Sequence, residues 1–213
     1  MNAGLYRIKP AAQRPVRPLV DASISRGVSA DALTLAAIPV AALAGLCLAL
    51  SDSAPVLLVA VPFLAALRLV LNLVDGQVAR QTGTTHALGE VLNELGDRIS
   101  DVLFIGGLAF VAVVGPALAL SAVIAALLAS FVGITARAVA APRQYGGVMS
   151  KPGRMIVLAV AAPLALLLGD AWPLAAAAWL ILSGALVTLG QRLVATRNAL
   201  HARDEHGERA DRP

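Results

Sequence analysis

Apolar stretches long enough to cross a membrane recur along the whole of this 213-residue chain. A hydrocarbon core of ~30 Å takes a helix of ~20 such residues to span it. The stretches lie at residues 32–50, 54–73, 92–113, 117–139, 155–168 and 172–190. In lipid every backbone amide must be satisfied within the chain, which leaves only helices or a closed barrel. These runs are continuous and rich in Ala, Leu and Val, without the period-2 alternation of a barrel strand. The expected fold is therefore all-α, a polytopic membrane protein built as a six-transmembrane-helix bundle. Composition agrees: 58% of residues are apolar and 14% charged, against ~45–50% and ~25% in soluble domains.

The charges set the orientation. Connections at 51–53, 114–116 and 169–171 are short, and those at 74–91 and 140–154 are long. Six crossings put both termini and both long connections on one side. All 17 Lys and Arg residues fall toward that side, while the short turns carry only Asp52 and Asp170. Basic residues collect on the cytoplasmic face of membrane proteins, so both termini are expected to be cytoplasmic, in a multi-pass protein of the cell (inner) membrane. The net charge of +4 then reports topology and attraction to anionic lipid headgroups, not a nucleic-acid partner. Three regions follow: a basic N-terminal arm over residues 1–31, with an interfacial helix expected around 19–26; a transmembrane domain over 32–191; and a mixed-charge cytoplasmic tail over 192–213, expected to fray. Cys47 is the single cysteine, and His86, His201 and His206 match no zinc-ligand spacing. A metal site in this chain has to be built from oxygen ligands.

Ionisable groups at membrane depth are costly and mark function, and here they concentrate at the inner ends of the second and third spans. Asn72, Asp75, Gly76 and Ala79 share one helix face, and Gly89, Asn93 and Asp97 fall close together on the next. Two antiparallel helices joined by a turn of ~12 residues would bring these faces together. Carboxylates and amide oxygens suit a hard divalent cation. Gly76 and Ala79 leave room for a ligand near the backbone, and Arg80 at the edge offers the donor fork that fits a phosphate. The alternative is a polar patch that merely solvates two helix ends.

The spacing Asn72-x2-Asp75-Gly76-x2-Ala79-Arg80-x8-Gly89-x3-Asn93-x3-Asp97 resembles the signature of the CDP-alcohol phosphatidyltransferases, D-x2-D-G-x2-A-R-x8-G-x3-D-x3-D. All nine fixed positions agree in spacing and seven in residue type. The departures are Asn72 and Asn93, each in place of an aspartate. The resemblance implies transfer of a phosphatidyl group from CDP-diacylglycerol to an alcohol, with release of CMP. It implies one or two Mg²⁺ or Mn²⁺ ions held by Asn72, Asp75, Asn93 and Asp97, with Asp97 as the general base. Gly76, Ala79, Arg80 and Gly89 would bind the CDP donor. Glu90, Glu94 and Asp101 lie near Asp97 on the helix and would restore negative potential lost at the two asparagines.

Arg137, Arg143, Lys151 and Arg154 cluster around the second long connection, and in the family this region supplies basic residues to the acceptor pocket. They point to an anionic acceptor, a phosphorylated polyol such as glycerol 3-phosphate or inositol phosphate. Ordinary positive-inside flanking explains the same cations equally well. His86 lies in the loop between the halves of the signature, where it could approach substrate, although a loop histidine is more often merely solvated. Family members are often homodimers, and Gly106-Gly107 would permit close helix packing or self-association. The competing reading of the whole chain keeps the fold and drops the activity: a binding homologue whose metal site has lost two carboxylates.

Overall fold

The structure, a computed structural model, describes the backbone of residues 15–210 and the side chains of residues 15–203. Helix α1 covers Arg17–Ser25 and α2 covers Ala30–Ala49. A 3-10 turn, Pro55–Val59, leads into α3, Ala60–Thr82, and α4, Ala87–Gly106, runs into a second 3-10 turn, Gly107–Phe110. Then come α5, Gly115–Ala138, α6, Lys151–Leu168, and α7, Trp172–Ala210. The described residues contain no strand.

Local chemistry sets the helix ends that frame the signature residues. Ser29 caps α2 by accepting from the Ala32 amide at 3.2 Å, with Asp31 in the positive first turn. Thr82 is followed by Gly83 at φ +65°, a left-handed stop that glycine adopts without a Cβ penalty. His86 caps α4: its Nδ1 accepts from the Gly89 amide at 2.9 Å, so it is a capping residue, not only a solvated one. Ser150 caps α6, with Pro152 in the first turn.

Five helical stretches are long and apolar enough to cross a membrane: Ala30–Ala49, Pro55–Thr82, Gly115–Ala138, Lys151–Leu168 and Trp172–Arg203. The protein is therefore an all-helical, multi-pass membrane protein. The stretch expected at 92–113 is α4 with its 3-10 extension, and α4 carries Glu90, Glu94, Asp97, Arg98 and Asp101, which keep it out of that set.

Two expectations are corrected. The halves of the signature are joined by residues 83–86, not by a longer turn, because α3 stays helical to Thr82. Val74 and Val78 there bury against Val16 and Val20 around α1, which supports the helix beyond its membrane-length run. The tail does not fray at residue 192. Helix α7 continues to Ala210, anchored where it leaves the bundle by Arg192, which donates to the carbonyls of Ala129 at 2.6 Å and Gly146 at 2.9 Å.

Helix α2 packs on both α3 and α4, α5 on α7, and α6 joins α3 to α7. The interior is built from small residues, among them Ala41, Ala44, Ala119, Ala122, Ala126, Ala162 and Ala178, which let helices approach closely. The tightest approach is at Gly45 and Gly107, where a Cβ on Gly107 would stand 2.8 Å from the Gly45 Cα. Gly107 thus serves packing within the chain. The outer surface is the reverse of a soluble protein's: Phe63 is 71% and Leu167 82% exposed, as a lipid-facing surface requires.

Candidate active site

Because α2 packs against both α3 and α4, it lies between them, and the two signature helices face each other across a cleft. Thr34 on α2 forms part of the floor. Its hydroxyl donates to Asp75 Oδ2 at 2.8 Å, and its methyl packs toward Gly96 of α4, 3.4 Å from where a Cβ there would stand. Gly96 thus brings α4 close to the residue that holds Asp75.

Above this floor is a cavity of about 300 Å³ lined by Asn72, Asp75, Gly76 and Arg80 from α3, Asn93, Glu94 and Asp97 from α4, Arg143 and Tyr145 from the connection that follows α5, and Lys151 and Pro152 from α6. Gly76 lies directly under the Arg80 guanidinium, whose Nη1 would be 3.3 Å from a Cβ at that position. Lys151 Nζ donates to Asn72 Oδ1 at 2.7 Å and also to Asp97 Oδ1, which ties α3, α4 and α6 together at one atom. Arg143 pairs with Glu94 and stacks over the Tyr145 ring, 4.7 Å from its centre. Burial works against the Arg143 charge, but the Glu94 carboxylate more than offsets it and raises its pKa above the ordinary value.

Behind Asp97 lies a buried ionic triad. Asp101, one turn along α4, is 3.1 Å from Arg154 Nη2 and 3.9 Å from Arg68 Nη2. Arg68 also donates to the Asp97 carbonyl at 3.4 Å, and Arg154 donates to the Ala126 carbonyl at 3.2 Å. A smaller space of about 70 Å³ adjoins the main cavity, sharing Glu94, Asp97, Arg143 and Lys151 and adding Arg98, Ser130, Gly133, Gln144, Arg154 and Arg192.

The cavity thus gathers eight of the residues expected at the site: Asn72, Asp75, Gly76, Arg80, Asn93, Asp97, Arg143 and Lys151. Arg154 lines the smaller space instead. Ala79 is not in the lining of either, and Gly89 lies against His86 and Asp31. Arg137 is outside both, with a 57% exposed side chain paired to Glu90. The three extra acids on α4 are each taken up by arginines: Glu90 by Arg137 and Arg143, Glu94 by Arg143 and Arg98, and Asp101 by Arg68 and Arg154. They do not stand as free negative charge beside the asparagines. Thr34, Arg68 and Arg192 were not expected at the site. Arg192 follows the apolar run of the last span, where sequence alone cannot tell it from an orientation signal.

The donor set fits a hard divalent cation. Two carboxylates and two amide oxygens line one cavity, and Mg²⁺ or Mn²⁺ takes such ligands. Among the described residues no group of three or more His, Cys, Asp or Glu side chains is gathered as a metal cluster, so the asparagine oxygens have to complete the set.

A family model described as CDP-alcohol phosphatidyltransferase matches residues 28–193. The chain is 33% identical to the inner membrane protein YnbA of Escherichia coli over 153 residues, which is 72% of this chain and 76% of that protein. It is 30% identical to phosphatidylinositol phosphate synthase of Mycolicibacterium smegmatis over 190 residues, 86% of this chain and 84% of that one. Among solved structures, phosphatidylinositol phosphate synthase of Mycobacterium tuberculosis with CDP-DAG bound superposes with a TM-score of 0.71 at 23% identity, covering 86% of this chain and 94% of that one. The same enzyme in complex with manganese and citrate gives a TM-score of 0.71 over 85% and 88%. At that identity the likeness speaks for the fold.

Proposed function

This chain belongs to the CDP-alcohol phosphatidyltransferase family, and we propose that it transfers a phosphatidyl group from CDP-diacylglycerol to a phosphorylated polyol, releasing CMP, in the cavity between α3 and α4. The observation that carries this reading is the convergence of Asn72, Asp75, Gly76, Arg80, Asn93 and Asp97 on one cavity, from two helices that α2 holds apart. The family's transferases are metal-dependent. In this chain Asp75 and Asp97, with Asn72 and Asn93, would hold the divalent ion, which when bound supplies Lewis-acid stabilisation of the diphosphate charge.

The protein's own groups divide the remaining work. Arg80, over Gly76, takes a phosphate oxygen of the donor through its fork of donors. Asp97 accepts the proton of the acceptor hydroxyl at a carboxylate oxygen. The acceptor's own oxygen, freed of that proton, bonds to the phosphorus bearing the diacylglycerol, and the bond from this phosphorus to the bridging oxygen breaks, with the electron pair leaving on CMP. The acceptor's own phosphate is bound at the adjoining space by Arg154 and Arg192, with Arg143 and Lys151 at the boundary. Five cations, Arg98 among them, around so small a volume favour an anionic acceptor, and an inositol phosphate matches the names of the mycobacterial relatives. The one-sided distribution of Lys and Arg supports a cytoplasmic site, cytoplasmic termini and a sixth crossing by α4.

The test is CMP release by the purified chain with CDP-diacylglycerol and Mn²⁺, with inositol phosphate, glycerol 3-phosphate, serine and inositol offered in turn. Release with a phosphorylated polyol above the unphosphorylated alcohols is the expected outcome. Release with none of them, unrestored by Asn72→Asp with Asn93→Asp, would leave the chain a binding homologue.

A further inference from the structure

We propose that the Lys151 ammonium stands in for one divalent cation, so that this chain's site holds a single Mg²⁺ or Mn²⁺ ion and completes its positive charge with a side chain. The inference rests on the phosphatidyltransferase reading and specifies its cation site.

Two divalent ions in one phosphoryl-transfer site sit ~3.5–4 Å apart, and their mutual repulsion has to be offset by the charge of their ligands. Positions 72 and 93, aspartates in the signature, are asparagines here. An amide oxygen still ligates but brings no charge. Two carboxylates, Asp75 and Asp97, remain. The other acid in the cavity lining, Glu94, does not make up the difference, because Arg143 bonds it and Arg98 lies 3.3 Å away.

Lys151 supplies the complementary observation. Its ammonium lies between a ligand position of α3 and one of α4, at 2.7 Å from Asn72 Oδ1 and bonded to Asp97 Oδ1. Both oxygens belong to residues that the signature would use to hold metal, so the ammonium takes up donor atoms that a second divalent ion would need. The side chain is 17% exposed, and its backbone is held at the start of α6, between the Ser150 cap and Pro152. Asp75 carries no ion pair among the described residues and accepts from Thr34 on one oxygen. With Asn72 taken up by Lys151, the ligand set proposed above narrows to Asp75, Asn93 and the Asp97 oxygen that stands 3.8 Å from Arg98. The two substitutions and the lysine are mutually consistent: two carboxylates fewer remove the charge a second metal ion needs, and one ammonium fills the place with a single positive charge.

The experiment is a Mn²⁺ titration of the purified full chain in detergent, read by electron paramagnetic resonance, which counts bound ions and detects spin coupling between neighbours. The wild type is expected to bind one Mn²⁺ per chain with an uncoupled signal. K151M alone still binds one, about tenfold or more tightly, since a like charge beside the ion is gone. N72D/N93D/K151M binds two, with a coupled signal, while N72D/N93D with Lys151 retained binds one. Two coupled ions in the wild type would overturn the inference and leave the phosphatidyltransferase reading intact, since CMP release is scored separately. No bound Mn²⁺ in the wild type would overturn both the inference and the metal dependence proposed for this chain. If the triple variant fails to fold, as judged by thermal unfolding, the wild-type stoichiometry decides alone.

Discussion

Asp101→Asn is the substitution whose cost the structure defines most closely. Asp101 is 3% exposed and is shared by two guanidiniums, Arg68 at 1% and Arg154 at 4%. At the observed separations of 3.9 and 3.1 Å, and an effective dielectric constant of about 20, the gross attractions are about 4 and about 5 kcal/mol. Much of that is offset by removing three charges from water, so the pair energies are not the stability change. What the variant changes is compensation: the amide keeps the shape of the carboxylate but leaves two buried cations facing a neutral group. Uncompensating a buried pair costs ~3–5 kcal/mol, and at ~2–4 °C per kcal/mol for a chain of this size the unfolding midpoint falls by about 10 °C. Thermal unfolding in detergent, followed by near-UV circular dichroism, measures it. R68M/D101L/R154M, which removes the triad entirely, should recover most of the loss, because an apolar replacement of a buried ion group is often neutral. The reasoning is refuted by an Asp101→Asn midpoint within 2 °C of wild type, or by a triple variant less stable than the single one. Activity is an independent readout: the triple variant loses both Arg68, which holds the Asp97 carbonyl at 3.4 Å, and Arg154 of the acceptor space, so it should stay folded while losing CMP release.

Other expectations follow from single contacts. Thr34→Val keeps the shape of the side chain but removes the donor to Asp75; a loss of about 1.5–3 kcal/mol is expected, with weaker Mn²⁺ binding, and an unchanged Mn²⁺ affinity would show that Thr34 does not position the carboxylate. Gly107→Ala drives a methyl into the Gly45 backbone, whereas Gly106→Ala meets nothing within 4 Å. Thermal unfolding should show the first destabilised by at least about 1–3 kcal/mol and the second close to wild type. Arg192→Ala should raise the acceptor KM about tenfold, the loss of one charge-assisted contact, while Arg137→Ala, outside both spaces, should leave it within about twofold. Equal effects of the two would remove the acceptor assignment of the smaller space.

The parts of this molecule that were legible in the sequence are those governed by one-dimensional rules. Apolar length foretold α2, α3, α5, α6 and the first half of α7, because backbone satisfaction in lipid admits no other solution for such runs. Helical period foretold that Asn72, Asp75 and Gly76 would meet a common cavity, and that Asn93 and Asp97 would enter it from the next helix. The extents of the helices depended on partners that no local pattern contains. Helix α3 outlasts its apolar run because Val74 and Val78 find Val16 and Val20, and α7 outlasts its own with Arg192 bound to the carbonyls of Ala129 and Gly146.

Cations were where sequence logic was least able to discriminate. Arg68, Lys151, Arg154, Arg137 and Arg192 all count once toward the same inside-positive total, yet their surroundings differ by the full range available to a charge. Arg68 is 1% exposed and neutralised by Asp101, whereas the Arg137 side chain is 57% exposed on a surface acid. A charge within an apolar helix is informative only together with its partner. The partner of Arg68 lies on α4, and those of Lys151 lie on α3 and α4. The same holds for the two asparagines. Read alone, Asn72 and Asn93 are lost ligands; beside Lys151 they become half of an exchange in which the site gives up negative charge and receives a fixed positive one. An orientation signal and a site charge can therefore be the same residue, and only the three-helix contact at Lys151 separates the two roles.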